Sequence, residues 1–583
     1  LLILAWRQRK HGRPARATAI ADQARSPRAV WPVVGLLAGA GLMLIGQGLE
    51  TPLEGTGSYL AWVLAVLGVA MVAVSGWRNR ERRASSGPTP GEAVPIVGKA
   101  LEHLAPRGWK TWSEEHPPQA WSSGTLAHKE FAKNSELTAG LVGSGLLLLV
   151  GRMISPVLFD WERAWVVIYT GLGLALFVFT AMGFTGRPLP RLIARPLGAI
   201  AGWLGVAPAR AVLLTVAPLI SLVARLAAGD AVRMRHAGLA VIAWLTGIGL
   251  VVLGSGVKLT GRRERFRFSA ESLGLGGLFL VALLVRGIGV AQAPWLFTGD
   301  EGSAGLTAVQ FIDGFRDNLF AVGWFSFPSM FFFIQSLFIR AFGQTVQALR
   351  LLSALVGALT VVPTYFFARE VFGRRIAWAS AIYLAAFHFH IHFSRIALNN
   401  IWDGFFTALF SAVFWRGWLR NQRGAFVAAG FALGLSQYFY VSVRVLVPLL
   451  ALWLLAALIK NRSEFRARLP GLLTMTLAAL VVALPLALFF VQNPEEFQAP
   501  LGRVAAHGAW IEAESELTGK SAVEIMWGQF KNAALGFTSV NLRLFYEPGQ
   551  PMLLSLPATL FLMGLTLVVL RIRQLTSIYV VLW

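Results

Sequence analysis

From Leu273 onward the chain alternates between two kinds of connection. Apolar runs at Leu273–Val290, 350–368, Ile376–Phe387, Ile401–Phe414, Ala425–Leu435, Val445–Ile459, Leu472–Val491 and Leu553–Leu570 are joined in turn by polar and by strongly basic segments. The basic segments hold Arg369, Arg374 and Arg375, then Arg416, Arg420 and Arg423, then Lys460, Arg462, Arg466 and Arg468, and finally Arg571 and Arg573. Continuous runs of this kind cross a bilayer as helices, because a helix satisfies its own backbone hydrogen bonds in lipid. The period-two alternation of a membrane barrel is missing. Cationic connections stay on the cytoplasmic side, so a series in which every second one is basic threads consistently. The block 258–267, with Lys258, Arg262, Arg263, Arg265 and Arg267, starts this series in the cytoplasm and puts the loop after Val290 outside. Met330–Phe342 must then stay on the outer surface. It is too short to span and reads as an interfacial helix.

Composition agrees with an all-α polytopic membrane protein. The chain is 56% hydrophobic and 14% charged, against about 25% charged for a soluble domain. A net charge of +23 would point to nucleic acid in a soluble protein. Here the bases lie between apolar runs, so the charge serves topology and no nucleic-acid partner is expected. Cysteine is absent, which excludes disulfides, thiolate metal sites and cysteine nucleophiles. There is no Walker-type loop, no dinucleotide fingerprint, no HExxH and no convincing Ser/His/Asp order, so no ATP or nicotinamide site is legible.

Three segments follow from the pattern. Residues 1–30 are an arginine-rich cytoplasmic or interfacial segment. Residues 31–256 read as an accessory multi-span domain, with spans at Trp31–Gln47, Tyr59–Ser75, Leu137–Val150, Trp165–Phe184, Ala211–Ala228 and Leu239–Leu253 and a polar cytoplasmic loop at 78–135. Its last pair leaves Arg233, Arg235 and His236 outside, against the charge rule. Residues 257–583 form the main membrane domain, with a first outer loop at 291–345 and a late outer loop at 492–552. The chain begins at Leu1 and stops at Trp583 within an apolar run, as a piece of a longer chain does.

Chemistry-bearing residues collect on the expected outer face. Asp300 and Glu301 follow the first span of the main domain. A partly desolvated carboxylate at a membrane surface can accept a proton from a hydroxyl, and the bland reading is a solvated loop pair. His388, His390 and His392 would line one face of an extended strand and suit a metal. On a helix they diverge, and interfacial packing with Arg395 aimed at a phosphate is the other reading. Asn399, Asn400 and Asp403 open a helix, where Asp403 either favours the dipole or walls a polar site. Tyr438, Tyr440 and Arg444 lie at the outer boundary of a span, and Arg543 lies in the late outer loop. Interfacial tyrosine is common. Arginine on the outer side is not, and its planar fork suits phosphate.

These residues, with Ala348-Leu349-Arg350-Leu351-Leu352-Ser353, Tyr365-Phe366-Phe367-Ala368-Arg369, Phe393-Ser394-Arg395-Ile396-Ala397-Leu398 and Tyr438-Phe439-Tyr440, resemble in their order the bacterial lipid-linked-sugar glycosyltransferases of the GT-C superfamily. The resemblance covers about 272–583 and is nearest to the branch called family 39, which includes protein O-mannosyltransferases and the aminoarabinose transferases of lipid A. It implies a GT-C-type bundle with outer interfacial helices, preceded here by an extra N-terminal membrane domain. It also implies inverting transfer of a sugar from a polyprenyl-phosphate carrier to a hydroxyl of a lipid, glycan or protein, outside a bacterial plasma membrane. Asp300 maps to the base and Glu301 to a group that positions acceptor or sugar. Arg395, Arg444 and Arg543 are candidates for the donor phosphate, and Asn400, Asp403, Tyr438 and Tyr440 for the wall of the site. A divalent cation, magnesium or manganese, held by Asp300 and Glu301 is compatible with the resemblance. Residues 1–271 lie outside it, and a scaffold subunit that docks into a membrane complex through them is the rival reading. A transporter would instead carry ionisable residues in mid-span.

The threading is open to test, since the chain offers no cysteine of its own. A single cysteine at position 313 should label from outside intact cells with an impermeant maleimide, and one at 461 only after permeabilisation. Labelling of position 313 from the cytoplasm alone would overturn the threading.

Overall fold

The computed structural model describes residues 191–257, 269–504, 508–540, 546 and 550–583, together with 140, 142–148 and 173. The expected spans at 31–47 and 59–75, that at 165–184 apart from residue 173, the loop 78–135 and Arg543 lie outside the described residues. Among the described residues the chain is helical, with one isolated bridge between Val322 and Pro328 and no strand.

In chain order the helices are α1 (Arg191–Leu204), α2 (Pro208–Ala228), α3 (Ala237–Gly254), α4 (Ala270–Gly287), α5 (Gly299–Ile312), α6 (Ser329–Phe342), α7 (Val346–Phe372), α8 (Arg374–Ala386), α9 (His388–Phe393), α10 (Ile401–Arg420), α11 (Arg423–Ser436), α12 (Leu446–Lys460), α13 (Arg462–Gln492), α14 (Pro494–Val504), α15 (Gly508–Thr518), α16 (Ala522–Leu535), α17 (Ser555–Leu570) and α18 (Leu575–Leu582). Six are long and apolar enough to cross a membrane, namely α2, α3, α4, α7, α13 and α12 with the 3₁₀ turn that leads into it. The expected spans α8 and α11 are shorter, with 13 and 14 residues. At 1.5 Å per residue each covers about 20 Å of a hydrocarbon layer roughly 30 Å thick. Helix α6 has 14 residues, the length of α11.

The contacts sort the helix ends onto two faces, as the basic connections imply. On one face Arg369 and Arg374 both approach Glu271, at 2.7 and 3.6 Å, and Arg420 pairs with Glu370 at 2.8 Å. Arg468 Nε donates to the Trp418 carbonyl at 2.5 Å. On the other face Arg286, near the end of α4, donates to the carbonyls of Leu384 and Ala385 at the end of α8. Arg444 reaches the carbonyl of Phe497.

Helices α2 and α3 are built into the same bundle. Ser221 Oγ and Trp244 Nε1 donate to the carbonyls of Val481 and Val482 in α13, at 2.6 and 2.9 Å. Arg423 donates to the carbonyls of Leu204 and Ser255. The boundary expected at 256 is therefore no packing boundary. Small residues along α2 and α3 let them lie close against a neighbour, and that neighbour is the main domain. The turn between them, 229–236, meets the first outer loop, where Met234 N donates to Asp317 Oδ1 and Asn318 Nδ2 donates to the Asp230 carbonyl. It thus shares a face with that loop, as the threading requires.

The interior is densely aromatic. Trp415, Trp453 and Phe414 are buried together with Tyr579 of α18, whose hydroxyl bonds to Ser411 at 2.8 Å. Helix α11 packs on α13 through Gly430 and Gly434. A Cβ at Gly430 would sit 2.2 Å from the Met475 carbonyl oxygen, and one at Gly434 2.6 Å from that of Ala479. Backbone cannot yield as a side-chain tip can. Gly430→Val should therefore cost about 1–3 kcal/mol through overpacking, seen as a lowered melting temperature in detergent. Gly528→Val should leave it unchanged, because Gly528 has nothing within 4 Å of its Cβ position. Equal melting of the two variants would contradict the close helix approach.

Candidate functional site

The site begins with the start of α5. Thr298-Gly299-Asp300-Glu301 forms a capping box, in which the Thr298 hydroxyl accepts from Glu301 N at 3.2 Å and Thr298 N donates to Glu301 Oε2 at 3.1 Å. This pattern satisfies two otherwise orphaned donors at a helix start. Glu301 is fully buried, and so is Arg350 of α7. The two meet in parallel, Nε to Oε1 at 2.8 Å and Nη2 to Oε2 at 2.9 Å. Ala397 N also donates to Oε1, at 2.8 Å. The remaining donors of Arg350 go to the carbonyls of Val290, Pro294 and Leu296. Glu301 is thus committed to protein groups on both oxygens.

Asp300 is its neighbour and differs in every respect. It is half-buried, with no hydrogen bond or ion pair among the described residues. Its charge acts on Tyr440. Burial pushes the Tyr440 phenol up, and the carboxylates of Asp403 and Asp300 push it in the same direction. Asp300, Asp403 and Tyr440, which α5, α10 and the α11–α12 turn supply, therefore converge. The hydroxyl of Ser442 donates to Asp403 Oδ2. Asn399 Nδ2 braces the turn by donating to the Phe439 carbonyl at 3.0 Å, while the buried Oδ1 of Asn400 has no partner.

An aromatic tip adjoins this cluster. Phe327 lies 5.3 Å from Tyr440 between ring centroids, and Trp324, Phe325 and Phe327 pack on one another. Phe325 and Ser326 both adopt left-handed backbone, at φ 57° and 59°. Non-glycine residues in that region carry strain that the surrounding structure must hold. On the far side of the turn Arg444 donates to the Phe497 carbonyl at 2.8 Å and lies over the rings of Phe490 and Phe497. Its Nη2 is buried and without a partner. It lines an apolar cavity of about 330 Å³ together with Gln437, Leu486, Phe490, Pro494 and Phe497.

Other expected members face elsewhere. Arg395 spends its guanidinium on the carbonyls of Val285, Arg286, Ile288, Gly289 and Ala293 instead of facing a phosphate. The last turn of α4 leaves carbonyls that need donors, and Arg395 supplies them. Tyr438 is fully buried, its hydroxyl donating to the Val482 carbonyl at 2.8 Å, which makes it a core residue. His388, His390 and His392 stand on a short helix, α9, where His390 faces away from the other two. His388 Nδ1 bonds to the Tyr546 hydroxyl, and His392 packs edge-on against the same ring. His390 Nδ1 lies 3.2 Å from Arg286 Nη2. Burial, reinforced by that guanidinium, brings His390 down to about 3. Among the described residues no three His, Asp or Glu side chains come together to hold a metal.

Sequence reasoning missed Arg350 as the partner of Glu301. The Thr-x-x-Glu spacing was a signal, since a glutamate at the third helical position normally turns back on its own helix start.

Residues 326–488 match the family model of dolichyl-phosphate-mannose-protein mannosyltransferases. The matched segment spans Arg350, Arg395, Asn400, Asp403, Tyr440 and Arg444, and begins after Asp300. It bears out the resemblance to the GT-C superfamily and supports a membrane glycosyltransferase of that type. No curated protein and no solved structure matches the chain.

The buried pair generates a thermodynamic expectation. Removing one partner strands a charge away from water. Arg350→Ala should cost about 3–5 kcal/mol, and the Arg350→Ala, Glu301→Ala double variant distinctly less than the sum of the two single changes. Additive losses in denaturant unfolding would contradict the pairing.

Proposed function

We propose that this protein moves a sugar from a polyprenyl-phosphate carrier to an acceptor hydroxyl, with inversion, at the bundle face that bears Asp300, which is the outer face of a bacterial plasma membrane. The observation that carries the reading is Asp300 itself. It is a half-buried carboxylate without a partner, held at the start of a fixed helix beside Asp403, Tyr440 and an aromatic tip.

In this reading Asp300 takes the proton of the acceptor hydroxyl as the oxygen attacks the anomeric carbon. The bond from that carbon to the phosphate oxygen breaks on the opposite side, which inverts the centre. The phosphate leaves with the electron pair. Arg444 supports this step, because a buried guanidinium nitrogen without a partner is an anion-binding group in waiting. The apolar cavity beside it suits an isoprenoid chain. A positive group placed where charge develops stabilises the transition state more than the ground state. Asp403, Asn400 and Tyr440 would hold sugar hydroxyls. Glu301 acts at one remove, as the positioning residue that fixes the helix turn carrying Asp300.

A divalent cation shared by Asp300 and Glu301 does not fit this site. Both Glu301 oxygens already accept from Arg350, Ala397 and Thr298, so no step is routed through a metal there. The acceptor, whether lipid, glycan or protein, is a proposal of the resemblance, and docking into a membrane complex through 1–271 belongs to the rival scaffold reading.

The test is transfer by the purified chain from polyprenyl-phosphate hexoses and pentoses, wild type beside Arg444→Ala. Wild type should turn over at least one donor. Arg444→Ala should raise the KM for that donor by about ten- to a hundredfold, the loss of a charge-assisted contact of roughly 1.5–3 kcal/mol. A folded wild type inert with every donor would contradict the enzyme reading. An unchanged KM in the variant would remove Arg444 from the site.

A further inference from the structure

The opposite face of the bundle holds a second cavity, of about 450 Å³, in the seam between α4 and α7. The 18 residues of α4 separate its mouth from the Asp300 loop by about 25 Å. Its walls are apolar, chiefly Leu275, Phe279, Leu359, Val362 and Phe366. Only Leu275, Ala282 and Arg286 of α4 are buried, so the seam opens to the lipid side.

The mouth carries opposite charges. Glu271 Oε1 accepts from the Tyr365 hydroxyl at 2.6 Å and meets Arg369 Nη1 at 2.7 Å. Among the described residues its other oxygen, Oε2, has Arg374 Nε at 3.6 Å, beyond hydrogen-bond reach. The side chains of Arg369 and Arg374 remain 44% and 61% exposed, against 19% for Glu271. A recessed carboxylate with one underused oxygen therefore sits between two accessible guanidinium groups, above an apolar slot.

We propose that this seam binds a zwitterionic phospholipid with a primary-amine headgroup. The acyl chain lies along Leu275, Phe279 and Val362, the phosphate between Arg369 and Arg374, and the ammonium on Glu271 Oε2. Charge complementarity selects this occupant. A purely anionic headgroup places no cation on Glu271. A quaternary ammonium has no N–H for that oxygen to accept. Arginine is suited to the phosphate because its fork makes paired charge-assisted bonds.

Gly276 allows a test that spares the charges. It lines the cavity, and a Cβ there would meet nothing within 4 Å, so Gly276→Leu fills the slot without a clash. The full chain is equilibrated in nanodiscs of equal phosphatidylethanolamine, phosphatidylcholine and phosphatidylglycerol, and the lipids retained on release are weighed by native mass spectrometry. Wild type should retain the ethanolamine lipid about tenfold over the other two, the worth of one charge-assisted contact. Glu271→Gln should abolish the preference, and Gly276→Leu should lose the retained lipid while melting like wild type. Equal retention of all three lipids, preference for the glycerol lipid, or unchanged retention in Gly276→Leu would each overturn the proposal. None of these outcomes bears on the transfer reaction at the other face.

Discussion

The buried pair of Glu301 and Arg350 holds the candidate site together. One carboxylate and one guanidinium, both without solvent exposure, tie the start of α5 to α7, to the 290–296 strap and to the backbone at Ala397. Taking two charges out of water is expensive, and their attraction offsets that cost only when the geometry is good and the spare hydrogen bonds are met. Here they are met. Arg350 makes three carbonyl contacts beyond the pair, and Glu301 closes its own helix cap. The payoff is positional: three segments distant in sequence share one fixed point at the membrane surface.

Asp300 inherits that point. Being one residue before Glu301 on a capped helix, it is turned about 100° from the buried face, and its charge is felt at Tyr440. A base must be held within reach of its proton but must not be spent on a structural partner. Division of labour between two adjacent acids meets both conditions. Arg395 and Arg286 play the same supporting part nearby, since each donates to carbonyls that end α4 or α8. Arg444 keeps a buried nitrogen without a partner and borders the apolar cavity.

The helices were legible because long apolar runs alternate with basic connections in the sequence itself. The site was legible in its cast but less so in its roles. Glu301 looked like a partner of Asp300 in chemistry because the two are adjacent, although the Thr298 spacing already marked it as a cap. Arg395 and Tyr438 could not be sorted from sequence. Whether an arginine meets phosphate or carbonyl oxygen depends on where α4 ends in space, and whether a tyrosine faces solvent or α13 depends on the pitch of one turn. Helices α2 and α3 were recognised as helices but not as part of the main bundle, since Gly- and Ala-rich surfaces do not name the neighbour they fit.

In the proposed reaction Asp300 is the base and Glu301 its support. Single-turnover transfer with donor already bound separates the two most directly. Asp300→Asn should bind donor as wild type does and transfer about 10²–10⁴-fold more slowly, the usual worth of a general base. Transfer at the wild-type rate by a folded, donor-bound Asp300→Asn protein would contradict the account and send the search for the base to Asp403.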